Sequence, residues 1–323
     1  MTTPTNELPT SPYFTLQRVG AGAWAAIAIL GTGSMGNAGI IDLGGAVVVF
    51  DTMLSLAAAR DLRAAAERLT GQRPRYVVNS HHHVDHTDGN QIFDDETIIS
   101  TSRVKEVLAA NTFLDELRAG GLELDAQARA QAKAVSDPII KRDMLEQDDD
   151  YLVLLREIED THVRLPDTLF ETQMTLRGAI RHAELITWGG GHTPSDLVLY
   201  LPDQHILYSG DLIFHQMFAS IDAGDPGEWL RILDELDKLT IERLVPGHGQ
   251  VSDHGAIASQ RANIETLLAL AQEAIAAGKS ADEVAQTPLP EVYRDWGFPS
   301  GFGETLTFYY NYLRAKETKA EQP

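Results

Sequence analysis

The segment His81–His86, HHHVDH, constrains this 323-residue chain more than any other stretch. It places His81, His83, Asp85 and His86 in an H-x-H-x-D-H pattern straight after the apolar run Tyr76-Val77-Val78. Few structural needs explain three imidazoles and a carboxylate in one turn, whereas a metal pair does. Rings two residues apart can point to one centre, while Asp85 and His86 diverge towards a second. No single turn completes either centre. The fold must therefore carry later His or Asp residues to the end of the strand that Tyr76 begins.

Three later positions suit that need, each in a glycine-rich turn beside an apolar strand pattern. His192 stands in Gly189-Gly-Gly-His-Thr-Pro, Asp211 in Ser209-Gly-Asp, and His248 in Pro246-Gly-His-Gly. Glycines let the backbone turn sharply and approach a ligand or ion. Taken singly, these positions have plainer readings. Asp85 alone reads as a helix N-cap, Asp211 as a turn residue, and His192 and His248 as surface-loop histidines. Only the set raises them.

Composition narrows the chemistry. The chain has no cysteine, so disulfides, thiolate zinc sites, iron–sulfur clusters and cysteine nucleophiles are all excluded, and any metal must use His and carboxylate. The formal net charge of −21 argues against non-specific binding to nucleic acid or to anionic membrane. The opening MTTPTNELPTSPYF has no basic stretch followed by an apolar core, and the longest apolar run, Ala21–Leu30, is too short to span a bilayer. The expectation is a cytoplasmic protein acting on a small molecule, with no nucleic-acid or membrane partner.

Strand-like patterns run through 14–19, 24–30, 39–43 and 47–50, with Gly44-Gly45 as a hairpin turn. A helix at 55–69 closes at Gly71, and strands follow at 76–79 and 97–100. Residues 103–160 carry no strand pattern and read as a helical insertion. Between 143 and 160 that insertion has eight acids against the single base Arg156, which reads as a solvated face. Strands resume at 174–176, 183–187, 197–201, 205–208 and 243–245. Helices are expected at 226–239 and 256–277, and Ser280-Ala-Asp-Glu283 is a capping box for another. Two blocks, each of strands first and helices after, indicate an α+β sandwich of two sheets with helices outside. No repeat or linker splits it. Residues 1–12 read as a loose Thr/Pro-rich arm and 13–323 as a single domain, including the insertion and a helical, aromatic region at 256–323.

The ordered set HHHVDH, GGGHTPSD, SGD and PGHG resembles the metallo-β-lactamase superfamily in its dinuclear hydrolase form. The segment Asn37–Thr52 also resembles that family's early hairpin ending in a structural Asp, here Asp51. The resemblance covers roughly residues 23–250 and implies a four-layer αβ/βα sandwich with its site at the sheet edges. Carried over by residue, it implies His81, His83 and His192 on one metal, Asp85, His86 and His248 on a second, and Asp211 bridging both. Two zinc ions are the expectation, with iron or manganese compatible with the same ligands.

An Asp at 211 resembles the glyoxalase II, lactonase and phosphodiesterase branches, since first-subclass β-lactamases place Cys at this point. The chemistry implied is hydrolysis of an ester, lactone or thioester by a hydroxide bridging the metals, with Asp85 passing a proton to the leaving group. Alternatives are β-lactam hydrolysis, a mononuclear-iron persulfide dioxygenase, and a phosphodiesterase or nuclease. His83 disfavours flavodiiron-type reduction, where that branch carries Glu.

Other positions are weaker. His82 occupies the variable place between two ligands. Gly31-Thr-Gly-Ser-Met-Gly36 spells a dinucleotide fingerprint, but a strand rather than a helix follows, so a mobile loop over the metal mouth is the better reading. Ser34, Met35 and His215 are the residues expected to touch substrate. The aromatics Trp296, Phe298, Phe302, Phe308, Tyr309, Tyr310 and Tyr312 fit core packing, with an apolar substrate wall or a homodimer interface as further roles.

Overall fold

Two sheets packed face to face organise the molecule, which the computed structural model describes over residues 7–219, 221 and 223–320. The first sheet is built from β1 (Phe14–Gly20), β2 (Ala23–Ala28), β3 (Ala38–Asp42), β4 (Val47–Phe50), β5 (Tyr76–Val78), β6 (Thr97–Thr101) and β7 (Thr168–Phe170), in that order across the sheet. Strands β1 to β4 are antiparallel neighbours, and β4 to β7 run parallel. The second sheet holds β8 (Gln173–Arg177), β9 (His182–Gly189), β10 (Asp196–Leu201), β11 (Ile206–Tyr208) and β12 (Arg243–Val245), with only β11 and β12 parallel.

Strand periodicity sets the layers. Side chains alternate along a strand, so Val48 and Phe50 of β4 face the second sheet while Val47 and Val49 face outward. The inner layer packs Ile41, Val48, Phe50 and Val78 against Leu185, Leu197, Leu199 and Tyr208. Outside the first sheet lies helix α1 (Leu56–Thr70), whose Ala58, Ala59, Leu62, Ala65 and Ala66 cover Ile40, Val49 and Val77. Ser55 caps its start by accepting from Ala58 N, and Gly71 closes its end with φ at 71°. Outside the second sheet, Trp229, Ile232 and Leu233 of one helix and Ile264 and Leu267 of another cover Val198, Tyr200, Leu207 and Leu244. The result is the expected four-layer sandwich.

The remaining helices are a one-turn α2 (Val84–Thr87), then α3 (Ser102–Ala110), α4 (Phe113–Ala134), α5 (Pro138–Glu157), α6 (Pro226–Leu236), α7 (Gly255–Ala276), α8 (Ala281–Ala285) and α9 (Phe302–Ala320). Helix α6 ends at Leu236, short of the expected 239. The capping box at Ser280 and Glu283 is formed. Strand β7, three residues long, was not expected from the sequence. Helix α9 falls within the expected helical, aromatic region, although its Phe308-Tyr-Tyr run favours strands in isolation. Packing overrides that preference, with Phe302, Leu306 and Tyr309 buried in the outer core.

The acidic stretch differs from its reading as a solvated face. Asp143 and Asp150 on α5 are buried, at 6% and 0% exposure. Of the expected N-terminal arm, residues 1–6 lie outside the described residues, while Ser11 Oγ donates to Asp61 on α1. No described helix is long and apolar enough to cross a membrane.

Candidate metal centre

Four strand ends converge on one edge between the sheets. His81 to His86 follow β5, His192 follows β9, Asp211 follows β11 and His248 follows β12. Backbone bonds fasten the two halves there, from Leu197 N to Ser80 O (2.9 Å) and from Asn37 N to Gly247 O (2.8 Å). The Asn37 side chain adds donations to Pro246 O and Gly249 O.

All seven ligand residues read from the sequence meet at this edge. His81, His83, His192 and Asp211 form one group, and Asp85, His86 and His248 another, with the ligand atoms of each group within 4.8 Å of one another. Asp211 reaches both groups. Its Oδ1 lies 3.1 Å from His86 Nε2, and its Oδ2 lies 3.4 Å from His248 Nε2, 3.6 Å from His81 Nε2 and 3.8 Å from His192 Nδ1. Asp85 Oδ2 stands 3.3 Å from His86 Nε2 and 3.2 Å from His248 Nε2. His82 belongs to neither group and lines the cavity beside them.

The donor set fits metal ions. His81 Nε2 is buried among these groups and has no hydrogen-bond partner among the described residues. Two imidazole nitrogens, His86 Nε2 and His248 Nε2, face each other at 3.3 Å, an approach that needs a shared cation or proton. Burial opposes charge on Asp85 and Asp211, yet the neighbouring His86 and His248 hold both carboxyls well below the usual carboxylate range. Burial likewise opposes charge on His248, but Asp211 and Asp85 raise it to about 9. The protein supplies two buried carboxylates among clustered imidazoles, a donor set that suits a divalent cation.

Surrounding groups fix the ligands. Asp51 Oδ2 lies 2.9 Å from His86 Nδ1, while Ser80 N and Ser80 Oγ both donate to Asp51 and Ser80 Oγ sits 2.9 Å from His81 Nδ1. Such outer contacts set ring orientation and tautomer. Asp51 itself sits at φ 60°, a strained backbone held by these bonds. The Phe214 ring stacks on His248 at 5.0 Å, and Trp229 packs on His192 at 5.4 Å. Asp196 ties the His192 turn by accepting from Gly191 N, Thr193 N and Thr193 Oγ1, and burial pushes its carboxyl up to about 6. That Asp closes the GGGHTPSD motif but has no metal-ligand signature.

A cavity of about 350 Å³ opens onto the centre, lined by Asp85, Asp211 and His248 at its floor and by Leu30, Met35, Phe113, Met217 and Phe298 along its walls. Met35 thus lies where a substrate residue was expected. Ser34 does not: it is fully buried and its hydroxyl donates to Tyr13 O. His215 faces a second cavity of about 230 Å³ and bonds Gln250 O through Nδ1, although His248, Leu30, Met35 and Met217 line both spaces. The Gly31–Gly36 loop is anchored, since Gly31 N and Gly33 N donate to Asp150 of α5. Tyr151, the residue after Asp150, presents its ring to the cavity. Asp150 was read only as part of an acidic face, because its partners Gly31 and Gly33 lie more than a hundred positions away.

Comparison with known proteins agrees with this geometry. The family model of the metallo-beta-lactamase superfamily matches residues 31–248, which include all seven ligand residues. A linear primary-alkylsulfatase from a Pseudomonas species is 23% identical over 237 residues, covering 71% of this chain and 43% of that protein. The chain therefore spans less than half the length of that relative. Among solved structures, a metallo-beta-lactamase from Pontibacter korlensis aligns with a TM-score of 0.58 at 16% identity, over 78% of this chain and 99% of that one. The DIM-1 metallo-beta-lactamase, in a crystal structure exposed to ceftazidime, aligns with a TM-score of 0.56 at 16% identity, over 80% and 99%. At that identity the two structures share the fold.

Proposed function

This chain belongs to the metallo-beta-lactamase superfamily, and on that premise we propose that it hydrolyses a carboxylic ester, lactone or thioester with two zinc ions held at the His/Asp centre. His81, His83 and His192 would hold one ion, Asp85, His86 and His248 the other, with Asp211 shared. The observation that carries the reading is Asp211, whose two oxygens reach imidazoles of both groups. When bound, such ions supply Lewis acidity at the scissile carbonyl and lower the pKa of water towards neutrality.

The chain's own residues do the rest. Asp85 lies on the cavity floor, so its carboxylate is placed to relay a proton to the leaving group. Asp51 and Ser80 orient His86 and His81. Phe214 and Trp229 pack against ligand rings and exclude water from their far sides. The apolar walls offer a site for an acyl or alkoxy arm.

The likeness to an alkylsulfatase favours a second reading, hydrolysis of a sulfate ester of an apolar alcohol. Protein stripped of metal and reloaded separately with zinc, manganese or iron separates the readings. The panel holds 4-nitrophenyl esters, lactones, thioesters, octyl sulfate, cephalosporins and phosphodiesters. Zinc-dependent turnover of the carboxylic substrates is expected. Turnover confined to octyl sulfate would establish the second reading, and glutathione persulfide oxidation with one iron per chain would overturn both.

A further inference from the structure

Resting on the hydrolase reading above, we infer that this centre selects esters that carry no negative charge, with an apolar arm lying along the cavity wall. The wall is built by Leu30, Met35, Phe113, Met217 and Phe298. Among the described residues lining the cavity, none is Lys or Arg. The lining instead includes three acidic residues of α5, Asp143, Glu146 and Asp150.

Their charges stand uncompensated. Asp143 accepts from Ser300 N, Ser300 Oγ and Gln147 Nε2, and Asp150 from Gly31 N and Gly33 N. These donors are dipoles that satisfy the oxygens but leave the formal charge in place. Among the described residues neither carboxylate is paired with Lys or Arg. Glu146 lies 3.8 Å from Arg142, whose side chain is 70% exposed, so that pairing is screened by solvent.

Metal ions draw an ester's scissile group inward whatever its arm carries. The walls decide what the arm may be. An anionic arm would shed water beside these acids with no Lys or Arg to meet it, and like-charge juxtaposition disfavours it. A neutral arm loses little hydration and gains apolar contact. A cationic arm is tolerated for the converse reason. The same field acts against any arm that carries a carboxylate, such as that of a β-lactam.

The test compares zinc-loaded protein on 4-nitrophenyl esters that share an acyl chain length: hexanoate, 6-aminohexanoate and monoadipate, at pH 8. In parallel, ligand-observed NMR follows binding of hexanol and of 6-hydroxyhexanoate, which cannot be hydrolysed. The expected result is that kcat/KM for hexanoate exceeds that for monoadipate by about tenfold or more, with hexanol bound in preference to 6-hydroxyhexanoate. Glu146→Gln, a partly exposed position outside the ligand set, should narrow both ratios with unchanged metal content. Equal or better use of monoadipate by the unaltered protein would overturn the inference, whatever the variant does. Discrimination in binding without turnover of any ester would retain the charge selection and sink the hydrolase reading instead.

Discussion

At the scale of single residues, the centre depends on how closely backbone can approach a carboxylate. A Cβ added at Gly247 would lie 1.9 Å from Asp211 Oδ1, and one at Gly36 would lie 2.9 Å from His86 Nε2. Neither residue touches metal in the ligand scheme, yet both leave the space the ligands occupy. Gly247→Ala must therefore displace Asp211 or its own loop. We expect it to fold, as judged by circular dichroism, while binding less metal. Full metal occupancy in that variant would show that the cradle is dispensable. Residues of this kind explain what was readable in the chain. The clustering of the seven His and Asp residues was legible because metal chemistry restricts residue type and the glycine turns marked their places. Ser34 is buried and His215 lines the adjoining space, placements that pattern alone does not give. Asp196 was missed because a turn-stapling carboxylate looks like any loop Asp.

At the scale of elements, α5 acts as a strap. Asp143, Asp150 and Glu157 are spaced seven apart (150 − 143 = 7; 157 − 150 = 7), which puts them on one side of the helix. Each accepts backbone N–H groups from a different segment: Ser300, the Gly31 and Gly33 loop, and Leu56 with Ala57 at the start of α1. The seven-residue spacing was the available signal, and counting acids without asking their phase hid it. The buried member also predicts a pH dependence. Burial raises the Asp150 carboxyl from 3.8 to about 6, against the pull of its amide donors. The folded state then binds that proton more tightly than the unfolded chain. The associated stability is fully present below about pH 4 and is lost as pH rises through about 6, an effect of at most about 3 kcal/mol. Urea unfolding from pH 4 to 7 should show this fall in the unaltered protein and a flatter profile in Asp150→Asn. Parallel profiles would place the proton elsewhere.

At the scale of the whole molecule, two sheets and their outer helices exist as separate apolar layers, and the centre sits where the layers share an edge. Ligands come from both halves, so occupancy of the centre ties β5 of the first sheet to β9, β11 and β12 of the second. The sandwich was legible from block order and strand periodicity. The cavity was partly legible, since Met35 and Phe298 were read as substrate contacts and both line it, while Phe113 and Tyr151 of the insertion carried no such signal. A ligand that binds only the folded state stabilises it by about 2.7 kcal/mol at a hundredfold excess over its Kd. Adding zinc to stripped protein should therefore raise Tm in a concentration-dependent way, and a chelator should reverse the rise. A Tm indifferent to zinc would separate the His/Asp cluster from the stability of the fold. The central claim is a shared, hydrolytic metal pair, and the direct measurement is metal content together with ester turnover for the unaltered protein and for Asp211→Ala. We expect two metal ions per chain and metal-dependent hydrolysis in the first, and a folded protein that has lost metal and most activity in the second. Near-normal metal content and turnover in Asp211→Ala would contradict the bridging role and the dinuclear hydrolase with it.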